Sequence, residues 1–235
     1  MKTKILAVAA TALLLTSGAV ALAQDTSVAE IVVTGSRLRD YEPTETPAIV
    51  LKRRADNIIT TVRVVCDTRE AAQRKQELKT TLQALIKGAA AAGIELAVED
   101  DDIVRKFDPS DLDDIISADA KADTSYAVLT LKTRVLPTDS YDSVTGRIRA
   151  FVKKTPKTGR TEALMTESWD LTLIGPERYR GDIIALVAAD ANKTAATFGP
   201  GYNVVIEGLV LPVSWYQSGP LELALYIPYA QEVRK

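Results

Sequence analysis

Few side chains of this 235-residue sequence are of the types that usually carry enzyme chemistry. The sequence has no histidine and one cysteine. It therefore offers no Ser-His-Asp or Cys-His nucleophile, no imidazole metal ligand and no thiolate zinc cluster. Nothing in the spacing of its carboxylates selects a pair for glycoside chemistry. We predict no catalytic residues, no cofactor and no metal site, and expect a protein that is not an enzyme.

The single cysteine, Cys66, directly precedes a helical pattern, and a helix N-terminus favours a reactive thiolate. Cys66 also shares the apolar side of an alternating run with Val62 and Val64. The charge of Asp67 beside it raises the pKa of a thiol. We interpret Cys66 as a small buried hydrophobic side chain, with a redox or catalytic thiol as the alternative.

Residues 99–114 form the densest cluster of acidic side chains, and clustered carboxylates are the ligands that Ca²⁺ prefers. The spacing of a calcium-binding EF-hand loop is absent, because Asp113 stands where the loop from Asp108 needs glycine and no glutamate occupies its twelfth position. A solvated loop with helix-start acids near Asp108 is our interpretation. The acids are Glu99, Asp100, Asp101, Asp102, Asp108, Asp111, Asp113 and Asp114.

The composition is that of a globular chain, with 46% hydrophobic and 26% charged residues. A chain with a formal net charge of −2 lacks the excess of basic residues that binds nucleic acid, so we exclude nucleic acid as a partner. A thiol that stays unpaired when buried is compatible with a bacterial periplasm.

Residues 1–23 have the pattern of a secretory signal peptide. Lys2 and Lys4 precede an apolar stretch, and Ala21 and Ala23 flank Leu22 as a cleavage site. We expect cleavage after Ala23, export to the periplasm and no transmembrane span in the mature chain. The alternative is an uncleaved membrane anchor, which the polar break after residue 16 disfavours, because a span needs about 20 apolar residues.

Hydrophobic periodicity then predicts one α+β domain over residues 48–235, after a flexible N-terminal arm at residues 24–47. Residues 58–66 alternate as a half-buried strand. A helix follows, in which Asp67 and Glu70 resemble a capping box and Gly93 is the stop. The predicted order is roughly β-α-β-β-α-β-α-β-β, with helices packed on a mostly antiparallel sheet.

The second half of the pattern contains two more predicted helices. One spans residues 139–153, and the other runs from Pro176 to Gly199. The latter has an apolar face made of Tyr179, Ile183, Leu186, Val187, Ala191, Ala195 and Phe198. Strands are predicted at residues 94–98, 126–135, 169–173, 204–211 and 221–227.

The chain resembles a divergent member of the SIMPL-domain family of exported bacterial proteins over most of residues 48–229. The resemblance lies in the strand at 58–65 with its long helix and Gly93-Ile94. It lies also in the Ala-rich helix at 188–196 with Phe198-Gly199, and in the closing strand at 223–229. It implies an α+β fold, an envelope location, an association with stress tolerance and no established enzyme activity. A homo-oligomer is one candidate assembly.

A short segment at residues 30–37 resembles the start of the plug region in TonB-dependent outer-membrane receptors. In that family, a nearby extended segment offers its backbone to TonB as an added strand. The chain is too short for a receptor barrel of about 22 strands. The resemblance nevertheless implies an alternative role as a TonB-system partner. An ordinary short strand is the other interpretation of the segment. The candidate partner-binding residues are Glu30, Ile31, Val32, Val33, Thr34 and Gly35.

Overall fold

The computed structural model describes residues 30–33, 48–100 and 103–235. The predicted signal peptide lies outside the described residues, as does the predicted arm apart from its residues 30–33. The helices are α1 (Ala71–Ala89), α2 (Tyr141–Lys154) and α3 (Arg180–Phe198). The strands are β1 (Glu30–Val33), β2 (Leu51–Arg54), β3 (Asn57–Cys66), β4 (Ile94–Asp100), β5 (Ile103–Lys106), β6 (Ser117–Ala118), β7 (Ser125–Arg134), β8 (Thr161–Met165), β9 (Asp170–Ile174), β10 (Asn203–Glu207), β11 (Ser214–Gly219), β12 (Glu222–Tyr226) and β13 (Ala230–Arg234).

The largest sheet is antiparallel, with the strand order β1-β9-β3-β7-β4-β5. The strand β3 pairs with β7 along its whole length, from Asn57 opposite Arg134 to Cys66 opposite Ser125. Along its other edge β3 is long enough for two partners placed end to end, β8 opposite residues 62–66 and β9 opposite residues 57–59. The short strand β6 pairs with β7. Helices packed on antiparallel sheets confirm the predicted α+β class.

The alternation of β3 separates a helix-facing side from an outer side. Ile58, Val62, Val64 and Cys66 are fully buried, and the Cys66 thiol contacts a side chain of α1. Arg63 and Val65 point to the opposite face and are partly exposed. The period-two pattern therefore identified the buried face of this strand correctly.

The N-terminus of α1 corrects the predicted capping box. Glu70 is itself the N-cap, and its carboxylate accepts hydrogen bonds from the backbone N–H groups of Ala72 and Gln73. Asp67 is engaged instead by Arg160, which lies 93 residues away in the sequence. Local spacing could not reveal this competing partner. The predicted stop is confirmed, because Gly93 has φ +68° and closes the turn after α1.

The helix α2 begins two residues later than predicted. Its N-cap is Ser140, whose hydroxyl accepts from the Ser143 backbone N–H while the Ser143 hydroxyl accepts from the Ser140 N–H. Val144, Ile148 and Val152 lie on its buried face. This face adds α2 to the same apolar cluster as α1 and the large sheet.

The C-terminal part of the chain builds α3 and most of two small antiparallel sheets. Their strand orders are β11-β12-β2 and β10-β13, so β2 joins the first sheet from the start of the domain. The buried residues of α3 are Ile183, Val187 and Ala191. Leu186 and Phe198, which were predicted to share the buried face, are exposed instead. Only a narrow stripe of α3 is covered, so the helix packs less of its apolar surface than its periodicity suggested.

The predicted strand at 204–211 is too long. The strand β10 ends at Glu207, and Gly208 adopts φ +96°, a conformation that favours glycine. The Leu211 N–H donates to the Gly208 carbonyl at 2.9 Å, so the chain turns here and leaves Val210 91% exposed. The strands β8 and β11 were not predicted, because neither residues 161–165 nor residues 214–219 alternate polar and apolar side chains with a period of two.

Candidate functional site

The outer face of the large sheet carries a group of charged and aromatic side chains near the end of β3 and the starts of β7 and β8. The register places Arg63 opposite Val128 and Leu164, and Val65 opposite Tyr126 and Glu162. Directly opposed residues of an antiparallel sheet point to the same face, so these side chains lie together on the face away from α1.

An open depression of about 580 Å³ lies beside these strands, and we call it the outer-sheet depression. Backbone from the end of β3, the loop between β6 and β7 and the turn before β8 surrounds it. Its lining mixes acidic, basic and apolar side chains. The lining residues are Val65, Asp67, Asp119, Lys121, Thr124, Gly159, Arg160, Thr161, Glu162 and Leu164.

Asp67 is held by two cations at the rim of the outer-sheet depression. Arg160 donates to both carboxylate oxygens, with N–O distances of 2.7 and 3.0 Å. The Lys121 ammonium lies 3.6 Å from the same carboxylate. The hydrogen bond from Arg160 is the main reason that the pKa of Asp67 falls to about 2, and Lys121 lowers it further. Asp67 therefore remains ionised far below neutral pH.

A second ion pair joins Arg63 to Asp119 at 2.6 Å. The Arg63 guanidinium also lies 3.7 Å from the centre of the Tyr126 ring, in a cation–π arrangement. Partial burial acts to raise the pKa of Asp119, but the hydrogen bond and charge of Arg63, together with hydrogen bonds from the backbone N–H groups of Lys121 and Ala120, hold the pKa below its usual range. The pair fixes the loop after β6 against the sheet.

The two carboxylates are poorly suited to proton transfer at neutral pH. A general acid or base works best when its pKa lies near the operating pH, and both Asp67 and Asp119 have lowered pKa values. Their cations are positioned by the same contacts. The two ion pairs therefore place fixed charges beside the apolar side chains of Val65 and Leu164.

A buried carboxylate under the outer-sheet depression positions Arg160. Glu77 of α1 is 9% exposed, and its Oε2 accepts hydrogen bonds from the Thr68 hydroxyl at 2.6 Å and the Arg160 backbone N–H at 3.1 Å. The Gln73 side-chain amide donates to Oε1 at 2.8 Å, and the Cys66 thiol lies 3.4 Å from Oε2. The hydrogen bond from Thr68, followed by that from Arg160, lowers the pKa of Glu77 to about 2.

Gly159 makes this arrangement sterically feasible. A Cβ atom at this position would lie 2.1 Å from Cδ of Glu77 and within 2.4 Å of both carboxylate oxygens. Its φ of +59° also favours glycine. The turn before β8 and the helix α1 are therefore locked together through one carboxylate.

The structure places the candidate partner-binding residues Glu30, Ile31, Val32 and Val33 in β1, at one end of the large sheet. This strand pairs antiparallel with β9, from Glu30 opposite Ile174 to Val33 opposite Leu171. Thr34 and Gly35 lie outside the described residues. The segment is thus a strand of the sheet over its first four residues and is not part of the outer-sheet depression.

Cys66 is fully buried, as predicted for a small hydrophobic side chain. Its thiol faces the Glu77 carboxylate and not the outer-sheet depression.

The acidic run divides between β4, β5 and a 3-10 turn at Pro109–Asp113, and Asp101 and Asp102 lie outside the described residues. Asp108 caps the turn by accepting from the Ser110 backbone N–H, which confirms the predicted helix-start role. Asp113 binds Lys75 and Lys79, and Asp111 binds Arg105. Within the described part of the chain, acidic and cysteine side chains do not gather into a group that could hold a metal ion.

The sequence did not reveal the outer-sheet depression, because its residues come from three separated segments. The sequence of β8 offers little local signal, because its two exposed side chains are one acid and one apolar residue, Glu162 and Leu164. None of the described helices combines the length and apolar character that a membrane crossing requires.

Comparisons with known proteins do not assign a family. No protein-family model matches the chain, and no curated protein sequence matches it. A crystal structure titled as a hydrolase from Listeria innocua is 10% identical, covers 83% of this chain and 98% of its own, and has a TM-score of 0.16. An uncharacterized conserved protein from Listeria innocua is 13% identical with the same coverage and a TM-score of 0.15. TM-scores this low carry no argument about fold or activity.

Proposed function

We propose that this chain is an exported, periplasmic, SIMPL-like protein that acts as a non-enzymatic binding or assembly module linked to cell-envelope stress tolerance. The signal-peptide pattern at residues 1–23 supports export. The resemblance over residues 48–229 and the α+β fold support the kind of module. The outer-sheet depression is the surface that we assign to binding.

One observation carries the non-enzymatic part of the proposal. Asp67 and Asp119, two of the carboxylates that line the outer-sheet depression, are already paired with cations, and their pKa values lie below the ordinary range. Such groups offer fixed charges and no proton acceptor tuned to neutral pH. A surface of fixed charges around apolar Val65 and Leu164 recognises a partner by charge and shape.

The test is a turnover assay on the mature chain with esterase, phosphatase, glycosidase, peptidase and thiol–disulfide substrates. We expect rates equal to those of buffer for the wild type and for Asp67→Asn. A reproducible activity that Asp67→Asn, Asp119→Asn or Cys66→Ala removes would overturn the proposal. The control Glu232→Gln changes an exposed carboxylate on β13, remote in the sequence from the outer-sheet depression.

Export is tested separately by fractionating cells that express residues 1–235. The expected result is a periplasmic protein whose first residue is Gln24. Protein that remains in the cytoplasm with Met1 or Lys2 at its N-terminus would contradict the assigned location.

The alternative function is a partner of the TonB system through residues 30–37. The observation that favours it is that Glu30–Val33 has the extended backbone that strand addition requires. Binding of the mature chain to the TonB C-terminal domain, lost on deletion of residues 24–46, would support this role. Binding that the deletion does not reduce, or no binding by the intact chain, would reject it.

A further inference from the structure

The strand β8 has one edge that is hydrogen-bonded and one that is not. Directly after β8, the Thr166 N–H donates to the carbonyl of Thr61 in β3 at 3.0 Å. Hydrogen-bonding direction alternates along an antiparallel strand, so Glu162 and Leu164 also face β3, whereas Ala163 and Met165 direct their N–H and C=O groups away from it. Among the described residues, no strand pairs with β8 on that side.

This edge lacks several of the features that usually prevent further pairing, although β8 is five residues long and carries one charged side chain, Glu162. Native sheets protect their edges with lysine, proline or bulges, and residues 161–165 contain neither lysine nor proline and pair with β3 in continuous register. Leu164 is 49% exposed on the outer face. An exposed edge of this kind is a template for another strand.

The two ends of the edge carry opposite charge. Lys153, Lys154, Lys157 and Arg160 precede the strand, whereas Glu167 follows it with a side chain that is 92% exposed. Some of these cations also serve the chain itself, because Lys157 caps carbonyls at the end of α2 and Arg160 binds Asp67. An antiparallel copy of the same edge brings each acidic end to the other copy's basic end.

We propose that β8 pairs antiparallel with β8 of a second copy of this chain, about a two-fold axis at Ala163. This register pairs Ala163 with its own counterpart and Thr161 with Met165. Because the Thr161 N–H already donates to the Thr158 carbonyl at 3.1 Å, the pairing makes roughly four inter-strand hydrogen bonds. It also places Glu167 of one copy opposite Gly159, next to Arg160 of the other. The two Leu164 side chains become diagonal neighbours on the outer face.

A closed two-fold pairing removes the free edge from both copies and creates one continuous sheet. It also brings the two outer-sheet depressions to the same face, on either side of the junction. The inference deepens the assembly part of the proposed function. It stands on strand geometry and charge, so a monomeric protein would overturn the pairing and leave the turnover and export tests unaffected.

The test is sedimentation equilibrium of the mature chain, residues 24–235, over micromolar concentrations. We expect a dimer for the wild type and a monomer for Ala163→Pro, with unchanged circular dichroism. The Ala163 N–H points away from β3, so proline removes no hydrogen bond of the existing ladder. Ala163→Ser keeps the N–H and a small side chain, and we expect it to remain dimeric.

A second variant keeps the test decisive if proline disturbs the fold. Glu167→Lys places like charges together twice in each dimer, and we expect the dissociation constant to rise about fivefold or more at low salt. Glu232→Lys makes the same charge change on β13 and should leave it unchanged. A wild type that is monomeric throughout, a folded Ala163→Pro variant that remains dimeric, or Glu167→Lys equal to Glu232→Lys would overturn the pairing.

Discussion

Substituting alanine for Gly159 should destabilise the protein by colliding with the buried Glu77 carboxylate. The added Cβ would lie 2.1 Å from Cδ and within 2.4 Å of both carboxylate oxygens, so one of the two groups must move. The left-handed φ of +59° adds a backbone penalty of about 1–2 kcal/mol for a residue with a Cβ atom. Overpacking of this kind adds about 1–3 kcal/mol.

The expected loss for Gly159→Ala is therefore about 2–5 kcal/mol in the free energy of unfolding. Urea denaturation of the mature chain, followed by circular dichroism, measures it. The same substitution is then made in a Glu77→Ala background. Without the carboxylate only the backbone penalty remains, so the loss due to Gly159→Ala should fall to about 1–2 kcal/mol.

Gly146→Ala is the matched control, because a Cβ there meets no atom within 4 Å. It lies inside α2, where alanine is favoured over glycine, so stability should stay equal or rise by up to about 1 kcal/mol. Equal losses for Gly159→Ala with and without the Glu77 carboxylate would refute the proposed lock between α1 and the turn before β8.

Three further predictions follow from the same contacts. Glu77→Gln should lower the melting temperature at pH 7, because the new NH₂ group is a donor and would face donors that bind the carboxylate in the wild type. The fold lowers the pKa of Glu77 from 4.5 to about 2, so the stability that the ionised carboxylate provides is present above about pH 4.5 and is lost as the pH falls toward 2. The melting temperatures of Glu77→Gln and wild type should therefore converge in acid. A difference in melting temperature that stays constant with pH would contradict this. Leu82→Ala removes a fully buried side chain from the layer between α1 and the sheet and should cost about 2–5 kcal/mol by urea denaturation, whereas a loss under 1 kcal/mol would contradict the packing. Cys66 is fully buried, so a bulky maleimide should label it only on the timescale of unfolding, and rapid labelling of native protein would show that the thiol is accessible.

The sequence predicted the elements whose signals are local. The alternation of residues 58–66 identified β3 and its buried face, and Gly93 and Gly199 marked the ends of helical segments. These signals depend on neighbours a few residues apart, which is why period and capping rules detect them.

Features decided by distant partners could not be read in the same way. Asp67 looked like a helix cap, but a guanidinium 93 residues away binds it in the fold. The apolar face of α3 was predicted from periodicity, yet Leu186 and Phe198 are exposed because the small sheets cover only part of the helix. The outer-sheet depression depends on the register of β8 against β3, which no local pattern specifies.

Export and assembly are tested together by the native mass of the protein purified from the periplasm of cells expressing the full sequence. A mass equal to two copies of residues 24–235 would support export, cleavage after Ala23 and assembly together. A single copy of residues 1–235, recovered from the cytoplasm, would contradict both the assigned location and the proposed assembly.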